Sequence, residues 1–208
     1  MNASLFIVHL HYSLGGFHLR HLYAFISIFL LLAATASAGS FTAEMDVDTY
    51  VDSDNANQSF ADSDLLWAAS VDGASNKEVY LSFVNLLGSQ GIFKPEQVSD
   101  ATLTVDAVKV DKPGKITAYF LHGATFDTAD WYTKDDYDAD VSSSSAEIDG
   151  TGSYELDVTP IIKKAIETCA EGCPYTIVLV AEDDASVAFA SSESDDGDKP
   201  ILEYSTEE

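Results

Sequence analysis

Ala101-Thr102-Leu103-Thr104-Val105 alternates apolar and hydroxyl side chains with a period of two residues. Successive side chains of an extended chain point to opposite faces, so this stretch reads as a strand with one face in a core and the other in water. Tyr154-Glu155-Leu156-Asp157-Val158 repeats the pattern with acids at the polar positions. Working outward from these two, segments rich in β-branched and aromatic residues occur at 49–51, 65–71, 79–84, 101–110, 116–121, 154–158, 175–181, 187–190 and 201–204, each bounded by Asp, Asn, Ser, Gly or Pro. Residues 176–181 are apolar at nearly every position and read as a central strand, covered on both sides. One stretch breaks the pattern. From Thr159 to Cys169 apolar residues fall at Ile161, Ile162, Ala165, Ile166 and Cys169, with Thr159 at the expected N-cap and Pro160 opening the helix. The expected architecture is therefore all-β, a two-sheet antiparallel β-sandwich of jelly-roll type with one short amphipathic helix.

The chain has 208 residues with 35 Asp and Glu against 10 Lys and Arg, a formal charge of −25. The charges are unevenly placed: the lone arginine, Arg20, lies near the N-terminus, and every acid lies at Glu44 or later. Nucleic-acid binding rests on Lys and Arg neutralising phosphates, so this balance excludes that class of partner, and an anionic membrane surface repels the domain for the same reason. Residues 22–34 form an uncharged, apolar run behind Arg20, followed by Ala36 and Ala38. That order predicts a signal peptide over 1–38, a domain over 39–208, and an extracellular or cell-surface location. If the segment were retained it would be an anchor, although the run is shorter than the roughly 20 residues of a spanning helix. Export permits a disulfide between Cys169 and Cys173, the two cysteines of the chain.

Three acidic clusters have the chemistry of calcium ligation, since a hard cation takes carboxylate and carbonyl oxygens. The favoured metal site combines Asp46 and Asp48 beside the first strand with Glu193 and Asp195 before the last, on the expectation that first and last strands are neighbours. The loop Asp136, Asp138, Asp140 and Glu147 has EF-hand spacing but carries Val141 where the sharp turn needs Gly. Catalysis is not expected: there is no nucleophile elbow, and His122 is the sole histidine after residue 21. Trp131, Tyr132 and Tyr137 lie in a polar, Asp-rich stretch and are the candidate ligand-binding rings, because aromatic faces beside carboxylates suit sugars. Trp67, inside Leu65-Leu66-Trp67-Ala68, reads as core.

Taken in order, Asp48-Thr49-Tyr50-Val51, Val79-Tyr80-Leu81-Ser82-Phe83, Ser99-Asp100-Ala101-Thr102-Leu103, Phe126 with Trp131, Tyr154 through Pro160, and Val187 through Glu193 followed by Lys199-Pro200-Ile201-Leu202 resemble the DNRLRE-domain family, related to carbohydrate-binding module family 96. The resemblance implies an extracellular, non-catalytic jelly roll that accompanies surface proteins and polysaccharide-degrading enzymes, some members binding acidic polysaccharides such as alginate. The arginines that give that family its name are absent; the matching strand reads Lys77-Glu78-Val79-Tyr80. The expected function is a secreted or cell-surface module for an extracellular polysaccharide, assisted by calcium. The alternative is an acidic structural or self-assembling matrix protein that recognises no sugar.

Overall fold

The computed structural model describes residues 39–84, 87–169 and 172–207. The expected signal peptide over 1–38 lies outside them. Among the described residues twelve strands pair antiparallel into one continuous, curled sheet. They are β1 (Ser40–Thr42), β2 (Met45–Asp52), β3 (Leu65–Val71), β4 (Ala74–Phe83), β5 (Val98–Lys112), β6 (Gly114–His122), β7 (Asp138–Ser142), β8 (Ala146–Ile148), β9 (Gly152–Asp157), β10 (Tyr175–Ala181), β11 (Ser186–Ala190) and β12 (Ile201–Thr206). One α-helix among the described residues, α1 (Thr159–Cys169), follows β9.

The curling explains how one sheet makes the two layers expected of a sandwich. One layer runs β2-β4-β10-β6, with β7 and β8 on the outer edge of β6. The other is built on the 15-residue β5, whose first half pairs with β12 on one side and β9 on the other, with β1 beyond β12. The second half of β5 turns away to pair with β11, and β11 pairs with β3, which closes back onto β4. The β3–β4 hairpin turns on Asp72-Gly73 with φ of 54° and 78°, the two positive values of a tight type I′ loop, and glycine takes the second without steric cost.

Alternation decides what each face buries. On β5, Ala101, Leu103, Val105 and Ala107 point into the main core, where they meet Val79, Leu81 and Phe83 of β4, Ile177 and Leu179 of β10, and Phe189 of β11. The helix lays Ile161, Ile162, Ala165 and Ile166 into the same core, all at most 2 % exposed. β10 is buried along its whole length, as its apolar run demands. Its outward residues Val178 and Val180 join Val51, Tyr80 and Leu121 in a second, smaller cluster on the outer side of that layer.

Several expectations need correction. Thr159 does not cap the helix: it is the first helical residue, and its hydroxyl accepts the Ala101 N–H at 2.8 Å, tying the helix start to β5. The carbonyl of Val158 instead accepts the first helical N–H groups, from Ile161 and Ile162. The EF-hand reading fails because Asp138 and Asp140 belong to a strand, β7, paired with β6. β12 lies beside β1 and β5, whereas Asp46 and Asp48 sit on β2, which pairs with β4, so the assumed neighbourhood of first and last acids is not a strand pairing.

Candidate functional site

The strand registers bring Trp67, Ala188 and Lys109 into one row across β3, β11 and β5. Residues paired directly across an antiparallel sheet share a face, so the indole lies beside a position where β11 carries only a methyl group. Trp67 is half-buried, packed against the edge of the core and not within it. Two ammonium groups attend its ring, Lys109 Nζ at 4.8 Å and Lys77 Nζ at 5.9 Å from the centroid. Both are within the range of cation–π attraction.

Beside this row lies a groove of about 450 Å³, lined among others by Leu65, Asp106, Lys109, Thr151 and Asp196. In a regular strand Asp106 and Lys109, three residues apart, would point to opposite faces. The register slips between Ala188–Lys109 and Phe189–Ala107, leaving Val108 as an extra residue on β5. This bulge is what lets both side chains reach one groove. Gly197 closes the wall: a Cβ there would stand 2.7 Å from Val108 Cγ1 and 3.1 Å from Ala190 Cβ. The segment is pinned by the Asp198 N–H, which donates to Asp106 Oδ2 at 3.0 Å.

The charges near Trp67 are paired. Lys77 bonds Asp52 at 2.9 Å, with the carboxylate side chain only 2 % exposed. Burial alone would raise the Asp52 carboxyl, but hydrogen bonds from Lys77, Asn55 Nδ2 and the Asp54 N–H, with the Lys77 charge, hold it below the ordinary carboxylate value. A depressed carboxyl contributes stability that is present above its unfolded pKa, about 3.9, and is lost as pH falls through the folded value. Asp52→Asn is therefore expected to cost stability at pH 7 and much less near pH 3. Equal differences from the parent in denaturant unfolding at the two pH values would disprove it.

The three rings expected to bind ligand lie in different settings. Trp131 and Tyr137 sit on the second cluster, Tyr137 stacked on Tyr119 at 4.6 Å. Lys134 lies 4.9 Å over the Trp131 ring and bonds Glu78 at 2.8 Å, a carboxylate 5 % exposed that also accepts from the Tyr80 hydroxyl at 2.9 Å. Burial, then the Glu78 charge, pushes the Tyr80 hydroxyl far above its usual value. Trp131 and Tyr137 thus cover the outer side of the β2-β4-β10-β6 layer, while Tyr132 stands apart, 73 % exposed.

The four acids expected to hold calcium are only partly brought together. Asp48 is buried, and its two oxygens accept from the Ser192 N–H at 2.6 Å and the Ser192 hydroxyl at 2.7 Å, which places Glu193 nearby. Burial raises the Asp48 carboxyl; the Ser192 bonds oppose this and the Glu193 charge adds to it. Asp46, Glu193 and Asp195 are exposed. Among the described residues no group of three His, Cys, Asp or Glu side chains is placed to hold a metal ion. The Cys169 side chain lies outside what is described, so the expected bridge to Cys173 does too. His122 is exposed at the end of β6.

Sequence reasoning placed Trp67 in the core and did not single out Lys77, Lys109, Asp106 or Asp196. A legible signal was the rarity of cations, which makes two lysines at one ring notable in a chain with 10 Lys and Arg. A curled antiparallel sheet of this kind belongs to the class of all-β, sandwich-like folds. Residues 40–206 match the profile of carbohydrate-binding module family 96, and the chain belongs to that family. A search of the curated proteins finds no match. No described helix is long and apolar enough to cross a membrane.

Proposed function

We propose that this chain is a non-catalytic module that holds an extracellular polysaccharide on its β3-β11-β5 face, with Trp67 as the platform and the adjoining groove as the polar part of the site. The carrying observation is the half-buried indole in register with Ala188 and next to the 450 Å³ groove. Sugar C–H faces stack on such rings, and hydroxyl groups exchange hydrogen bonds with Asp106, Asp196, Thr151 and Lys109. Family membership supports carbohydrate as the ligand class. The signal peptide expected over 1–38 supports export in this reading, with the module delivered to a cell surface or matrix. Calcium enters this reading as a counter-ion of the acidic surface and not as a caged ligand.

Affinity electrophoresis against a polysaccharide panel tests the assignment. Trp67→Ala should weaken binding at least tenfold while the thermal transition stays cooperative. Unchanged retention of Trp67→Ala would remove the platform role. Retention of no polysaccharide by the parent would favour the structural, non-binding alternative.

A further inference from the structure

We infer that the Trp67 groove takes an uncharged polysaccharide, and that its lysines act there as hydrogen-bond donors and not as counter-ions for a polyuronate. This rests on the proposed site and adds the ligand class. An acidic glycan needs cations whose charge is available to it. Lys77 is committed to the nearly buried Asp52 at 2.9 Å, and Lys109 lies 3.3 Å from Asp111. The groove adds Asp106 and Asp196. Two lysines at the ring thus stand against four aspartates, Asp52 and Asp111 paired with them and Asp106 and Asp196 in the groove, a net negative balance before the rest of the acidic chain is counted. Lys112 lies past a second register shift, paired with Ser186 at the far end of β5 and outside the groove lining.

The same groups suit a neutral sugar. Carboxylates are the strongest acceptors for hydroxyl protons, and Asp106 and Asp196 offer them. The exposed Lys109 ammonium directs one of its three N–H donors to Asp111, which leaves two for sugar oxygens. Asp106 is already oriented, because one of its oxygens receives the Asp198 N–H, leaving the other as an acceptor. Binding built from stacking and neutral hydroxyls releases few counter-ions, so it changes little with salt, whereas polyanion binding falls steeply.

The experiment measures binding of the full exported protein to β-1,3-glucan, β-1,4-mannan and xylan, and to alginate and polygalacturonate, at about 50 and 500 mM NaCl. The expected result is retention by an uncharged polymer with less than about a twofold change across that range. Asp106→Asn, which keeps an acceptor for the Asp198 N–H, should weaken it about tenfold, and Lys109→Gln, which keeps a donor, less than about threefold. Retention by the polyuronates alone, falling more than about tenfold at high salt, would overturn the ligand class and leave the Trp67 site standing, provided Trp67→Ala abolishes it. Retention by no polymer, or binding untouched by both Trp67→Ala and Asp106→Asn, would overturn the site and the ligand class together.

Discussion

Replacing Lys134 with methionine is expected to lower the unfolding free energy by about 3–5 kcal/mol, because it leaves Glu78 as a buried carboxylate without its cation. The pair is 2.8 Å apart, with the lysine side chain 16 % and the glutamate 5 % exposed. The Tyr80 hydroxyl still donates to Glu78, but a neutral donor does not repay the desolvation of a charge. The double variant Lys134→Met with Glu78→Gln should recover much of the loss, since no charge is then stranded. Urea unfolding of the three proteins checks this. A Lys134→Met variant within about 0.5 kcal/mol of the parent would show that the pair behaves as an exposed one.

The second large effect belongs to Phe189. Its neighbours on β11, Ala188 and Ala190, alternate with it, so the strand sends the phenyl ring one way into the main core while Ala188 shares a face with Trp67. Phe189 is 0 % exposed. Truncation to alanine should cost about 3–5 kcal/mol, the lost transfer energy plus the cavity that a closed sheet cannot collapse to fill. Phe189→Leu, closer in volume, should cost clearly less. Denaturant unfolding with an unchanged slope would attribute the loss to the native state; equal losses for the two variants would argue against the cavity account.

These two variants also separate what was legible in the residues from what was not. Phe189 was assigned to a strand by the apolar run around it, and the structure keeps that strand, as it keeps residues 65–71, 175–181 and the helix at 159–169. Those segments carry their own signal, a period of two, an unbroken apolar run or an amphipathic turn. β1, β7 and β8 were not expected, because β1 and β8 are only three residues long, β7 is Asp-rich, and all three are held by pairing with strands distant in sequence. The site escaped for a related reason. Lys109 and Asp106 share a groove only through a bulge, and Trp67 meets Lys77 and Lys109 only once the sheet has curled. Neither event leaves a local pattern. Trp131 stands out in the sequence by its polar surroundings, yet its ring packs against the apolar cluster of Val51, Tyr80, Leu121, Val178 and Val180.

The engagement of the lysines has a consequence for where such a module can go. Lys77, Lys109, Lys115, Lys134 and Lys164 each stand within 3.5 Å of a carboxylate, so the remaining acids confront the medium almost uncountered. Inside a hydrated gel that carries fixed negative groups, a Donnan potential of −10 mV opposes every such charge by about 0.2 kcal/mol, and the opposition adds over the whole surface. The domain is then sorted by phase before any pocket is engaged, driven out of polyanionic mesh and collected in uncharged mesh. Concentrated brine collapses the potential and erases the sorting.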